Sequence, residues 1–137
     1  MRTSIGLMKA KIQAGNVKLK RVYEPAAADD GARILVDRLW PRGVSKERAA
    51  IDRWMKEIAP STELRQWFGH DPVRWQEFRR RYAQEVRQHG ELLDQLRSLA
   101  RQGQLTLVYA ARDEEHNDAV ALRHMILADE PTQASRR

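Results

Sequence analysis

Cysteine is absent from this chain of 137 residues, which removes disulfides, thiolate metal sites and thiol nucleophiles in one step and fits a reducing, cytoplasmic setting. The seven glycines are scattered, so there is no glycine-rich phosphate loop. There is equally no serine in a strand-turn-helix elbow and no metalloprotease signature. His116 and His124 stand eight apart on one expected helix, too far along its axis for an i, i+4 metal pair, so neither a metal nor another cofactor is expected. Long apolar runs are missing as well. Near the N-terminus Lys9 and Lys11 interrupt the few apolar residues, which excludes a signal h-region and a membrane span.

What is present fits one globular domain. A chain of 137 residues with 42% hydrophobic content buries roughly two thirds of the surface its unfolded form would expose. The net charge of +6 is unevenly placed. Residues 1–22 carry six basic groups (Arg2, Lys9, Lys11, Lys18, Lys20, Arg21) and no acidic one, leaving 19 basic against 19 acidic groups in the remainder. The body is therefore neutral, and a long basic groove across it is not implied. The expected organisation is a flexible basic extension over residues 1–16, with Met8 an alternative start, then a single domain over 17–128 and a disordered polar tail over 129–137.

Along the domain, Val17 to Tyr23 alternates like a half-buried strand whose direction is open. A connector follows, with the turn pair Asp30-Gly31. Arg33 to Leu39 reads as a second, buried strand, and Ser45 caps a short helix. Trp54, Met55 and Ile58 have helical spacing up to Pro60. Ser61 and Asp71-Pro72 then start two more helices, the second with an aromatic stripe of Trp75, Phe78, Tyr82 and Val86 that reads as core. A further amphipathic helix after Gly90 ends at Gly103 in a left-handed cap. Leu105 to Ala111 is the third strand, and a last helix begins near Asp113 to His116. The fold class is α/β: a small three-layer domain whose short, mainly parallel sheet is covered by helices. The long helical segment between the second and third strands is what parallel pairing requires, and it brings both strand exits to one edge of the sheet.

Those exits hold the candidate chemistry. Arg38, Arg42 and Arg112 can converge with the amides that open the last helix, a good phosphate or carboxylate site. Trp40 and Tyr109 flank an attached ring, Asn117 lies beside the ligand, and Asp37 with His116 handles a proton. The bland alternative is a structural network in which Asp37 and Glu114 pair with the arginines.

The runs Leu35-Val36-Asp37-Arg38-Leu39-Trp40-Pro41-Arg42-Gly43, Ala59-Pro60-Ser61-Thr62-Glu63-Leu64-Arg65, Trp67-Phe68-Gly69-His70, Tyr109-Ala110-Ala111-Arg112-Asp113 and His116-Asn117 closely resemble the YeaO-like family over about Lys18 to Leu127. The resemblance implies a small α/β domain of unknown function. Some members carry a MarR-type regulator label, for which this sequence has no winged-helix pattern. A wider relative of the family is similar at the second strand exit and has a Cys-His-Arg run at the start of its last helix. Here that run reads Glu115-His116-Asn117, with the histidine kept and the cysteine not.

The expected function is binding, with processing by a hydrolase or transferase activity left open, of a nucleotide-derived small molecule bearing phosphate or carboxylate. One alternative is nucleic-acid binding or regulation through the basic arm. The other is a protein-interaction module, favoured if Trp40, Trp54 and Trp67 form an exposed apolar patch. The sequence has no self-complementary signature, and a monomer and a weak dimer both fit it.

Overall fold

A computed structural model of the chain describes residues 11–128. The sheet has four strands, β1 (Val17–Arg21), β2 (Ala32–Leu35), β3 (Arg53–Trp54) and β4 (Leu105–Tyr109), in the order β1-β4-β2-β3 with every pairing parallel. Among the described residues five α-helices accompany it: α1 (Lys46–Ala49), α2 (Thr62–Phe68), α3 (Trp75–Arg87), α4 (Gly90–Gln102) and α5 (Asp118–Leu127). The expected adjacency of the second and third strands is met by β2 and β4, in register Ile34 with Leu107. None of the described helices is long and apolar enough to cross a membrane.

The two faces of the sheet are covered unequally. Ile34, Leu105, Leu107 and Tyr109 face the thick layer of helices, where the stripe Trp75, Phe78, Tyr82 and Val86 of α3 meets α4 and α5. Leu35 and Val108 face the other way, against Val22, Val44 and Ala49 under α1. This alternation follows from the two-residue period of a strand.

The direction of β1 is settled as parallel to β4, although only residues 22–31 lead from it to β2. That link holds a turn, with Glu24 N–H donating to Arg21 O at 3.0 Å, and a 3-10 turn over Ala28–Asp30, and it returns along the thinly covered face without an α-helix. At the end of that return Asp30, 1% exposed, binds Arg33 Nη1 through Oδ2 at 2.6 Å and Lys20 Nζ at 3.1 Å. Its backbone oxygen accepts from Thr106 Oγ1 at 2.7 Å. Gly31 follows with φ of +66°, and a Cβ there would lie 2.1 Å from the Gln104 carbonyl oxygen.

Several expectations are corrected. Trp54 and Met55 do not form a helix: Trp54 ends the edge strand β3, Met55 follows it with its N–H donating to Leu35 O at 2.9 Å, and only Lys56–Ile58 turn, as 3-10 helix. Short apolar clusters fit both periods, and pairing with β2 decides between them. Gly103 is extended rather than left-handed. The last helix starts at Asp118, because Asn117 Oδ1 caps it by accepting from Val120 N–H at 2.9 Å. Of the expected flexible extension, the described part is attached. Ile12 packs on the core, Asn16 Nδ2 donates to Ala100 O at 3.0 Å, and Arg123 Nη2 donates to Ala14 O at 2.9 Å. The rest of that extension and the tail over 129–137 lie outside the described residues.

Candidate functional site

The exits of β2 and β4 open into one cleft of about 710 Å³, whose wall includes Asp37, Arg38, Trp40, Arg42, Arg112 and His116. The segment after β2 is pinned at four points. Trp54 Nε1 donates to Asp37 O at 2.7 Å, Trp40 Nε1 to Val44 O at 2.7 Å, Tyr23 Oη to Arg42 O at 3.2 Å, and Arg38 to Pro60 O and Ala59 O at 3.2 and 3.1 Å. Arg21 ties the other exit through Nε to Ala111 O at 2.9 Å and Nη2 to Ala110 O at 3.2 Å. The loop is fixed chiefly through its backbone, which leaves particular side chains free.

Free among the described residues are the guanidinium groups of Arg42 and Arg112. Both are exposed, and neither has a side-chain partner there. Arg65 of α2, which sequence reasoning did not select, joins them on the wall, and its charge favours the ionised form of Asp37. Arg38 differs, since it spends its donors on two backbone carbonyls and thereby fixes the segment before α2.

The floor holds two carboxyl groups. Asp37 Oδ2 accepts from Ala110 N–H at 2.9 Å, and the Asp37 carboxyl is hydrogen-bonded to that of Asp118. Burial pushes both above the usual carboxylate range, Asp118 far above it, and the negative charge of Asp37 raises Asp118 further. An ionised carboxylate only accepts hydrogen bonds, so two carboxyls bonded to each other hold a proton between them. Asp118 was missed because it stands at the first position of α5, where an acidic residue needs no special explanation.

The expected pairing of Asp37 with His116 is not what forms. His116 Nδ1 lies 2.9 Å from Asp113 Oδ2, its N–H donates to Asp113 Oδ1 at 3.0 Å, and its ring meets the Trp75 ring edge-on at 5.3 Å. Asp113 is thereby held below the usual carboxylate range, mainly by the backbone N–H of Glu115 and by His116. Nor do the arginines reach the amides of α5. Asn117 and Asp118 hydrogen-bond there from within the chain, and Asn117 Nδ2 donates to Asp113 O at 2.9 Å, so Asn117 acts as a cap. Tyr109, 3% exposed, points into the helical core and is absent from the cleft wall. It cannot flank a ligand ring. The aromatic surface of the cleft comes instead from Trp40, Phe68 and Phe78, with His70 nearby. The structural network between Asp37, Glu114 and the arginines does not form among the described residues.

A family model described as the inactive DUF488-N3 subclade matches residues 16–136. The chain belongs to that subclade. It is 48% identical over 107 residues to the uncharacterized protein YeaO of Escherichia coli K12, covering 78% of this chain and 93% of that one. It is also 38% identical over 115 residues to the uncharacterized protein Rv3073c of Mycobacterium tuberculosis H37Rv, covering 84% and 97% of the two chains. The YeaO-like resemblance read from the strand exits therefore holds. No solved structure matches.

Proposed function

We propose that the cleft binds a phosphate- or carboxylate-bearing small molecule of nucleotide-derived kind and does not turn it over. The observation that carries this reading is that Arg42 and Arg112 stand without side-chain partners among the described residues on the wall of a cleft pinned through its backbone. Guanidinium forks are suited to phosphate and carboxylate oxygens. Trp40 offers a ring face, and its edge-on contact with Trp54 at 5.6 Å holds it in place. Membership of a subclade described as inactive supports binding without reaction.

The nucleic-acid alternative rests on the arm over residues 1–16, and the basic groups of β1 beside it are not available to extend it. Lys18 and Lys20 pair with Asp30, and Arg21 serves Ala110 and Ala111. The interaction-module alternative loses its patch, since Trp40 and Trp54 pack on each other and Trp67 lies beneath Arg74 and Arg81.

The test is a thermal-shift screen of nucleotides and sugar phosphates. A ligand near 100 times its Kd stabilises the fold by about 2.7 kcal/mol. Arg42→Ala is expected to abolish that shift while the unliganded melting temperature stays put. Collapse of the Arg42→Ala protein would make the arginine structural and remove the reading's main support.

A further inference from the structure

We propose that anion uptake by this cleft is linked to a proton held between Asp37 and Asp118. The proposal rests on the anion-site reading above and adds a control to it. The geometry is one cavity with cations on its wall (Arg42, Arg65, Arg112) and a hydrogen-bonded carboxyl pair among the same lining residues. While one carboxyl O–H donates to the other carboxylate, the pair carries a single negative charge. When that proton leaves to solvent the charge becomes two, with no protein group moving to replace it. An anion seated among the arginines then faces twice the negative charge from below.

The surroundings of the pair make it the part of the cleft whose charge is adjustable. Arg38 and the Ala110 N–H face it from the two strand exits, Arg65 from α2, the buried Tyr82 hydroxyl and Glu85 from α3, and Asp113 with His116 from the loop before α5. Tyr82 is pushed well above its ordinary value by burial and donates to Ile58 O at 2.8 Å, so it stays neutral. Arginine charges are fixed. Burial and mutual repulsion move the loss of the shared proton above the usual carboxylate range, so the control operates nearer neutrality than an ordinary aspartate would. By linkage the effect is reciprocal: an anion on the arginines makes the pair hold its proton more tightly, by the same factor that the proton tightens the anion.

The experiment is a calorimetric titration of the full chain with inorganic sulfate from about pH 5 to about pH 9, a range in which sulfate keeps its charge. For the native protein affinity is expected to fall as pH rises through the loss of the shared proton, by about tenfold in total. Asp118→Asn leaves Asp37 the only carboxyl of the pair, so a second negative charge cannot develop there. Its affinity is expected to match the native protein at the acid end and to exceed it about tenfold at the alkaline end. His70 and His116 are common to both proteins and drop out of the comparison. Superimposable pH profiles would overturn the linkage while leaving the anion site standing. Absence of sulfate binding at any pH would overturn the site and the linkage together. If Asp118→Asn does not fold, carboxyl carbon shifts of the native protein decide: the pair's titration step moves to higher pH on adding sulfate if the proposal holds, and stays in place if it does not.

Discussion

Asp37 Oδ2 accepts a hydrogen bond from the Ala110 backbone N–H at 2.9 Å, which joins the exit of β2 to the exit of β4. That bond, together with Trp54 Nε1 to Asp37 O at 2.7 Å, makes the cleft a product of the sheet rather than of a flexible loop. The side chains Arg42 and Arg112 are then presented by backbone that is already fixed, which lowers the ordering cost of gripping a ligand.

The arginines of the cleft should separate into two kinds. Arg42→Ala and Arg112→Ala remove exposed groups without partners among the described residues, and each is expected to change stability by no more than about 0.5 kcal/mol. Arg38→Ala leaves the Ala59 and Pro60 carbonyls unpaired and is expected to cost about 1–3 kcal/mol. Urea denaturation of the three variants checks the order.

The fold was legible where one strong local signal acted alone. Ser45 and Ser61 cap helices as read, and Asp71 caps the 3-10 turn Pro72–Arg74 that leads into α3, because a short polar side chain before a turn satisfies free N–H groups whatever its surroundings. The parallel pairing of β2 with β4 followed from the helices between them. Trp54 and Met55 were misread because their short apolar cluster fits two periods and only the neighbouring strand chooses. Arg42, Arg112, Trp40 and Asp37 line the cleft, and that placement was readable from their position at a strand exit. Tyr109 and Asn117 stand just as near, but one faces the core and the other caps α5, and a half-turn of orientation is invisible without the register. Arg65 had a signal, since it closes one of the runs that carry the family resemblance. Asp118 had none.

Acid should weaken the return segment before it weakens the cleft. Burial alone would raise the Asp30 carboxyl, but the Ala27 N–H, Lys20 and Arg33 outweigh it and lower it to about 2. Its folded value lies below its unfolded one, so this contribution is complete above the unfolded value near pH 4 and is lost as pH falls toward about 2. Asp30→Asn should remove that acid-sensitive step and destabilise the protein at neutral pH by about 3–5 kcal/mol, the cost of breaking a buried pair. Equilibrium unfolding across that range, read by circular dichroism, tests both.

The Asp37 and Asp118 pair has the opposite sign. Their folded values are raised, so their contribution is present below the unfolded carboxylate value and is lost as pH rises through the folded values. Asp118→Asn is therefore expected to raise the melting temperature at neutral and alkaline pH, with the gain vanishing near the unfolded value. A uniform loss of stability at every pH would contradict this.

Gly31 is held by both its positive φ of +66° and the approach of the Gln104 carbonyl oxygen. Any side chain there must push backbone aside. Gly31→Ala is expected to cost at least about 2 kcal/mol, measured as a shift of the urea midpoint without a change of slope.

The proposed binding of an anion at the two strand exits can be read residue by residue. Titration of the isotopically labelled chain with inorganic phosphate, followed through backbone amide shifts, tests it most directly. Saturable changes are expected at Trp40, Arg42, Arg112 and Asp113, with loss of the effect in the Arg42→Ala and Arg112→Ala double variant. Shifts confined to residues 1–22, where six basic groups lie without an acidic one, or no saturable shift at all, would contradict it.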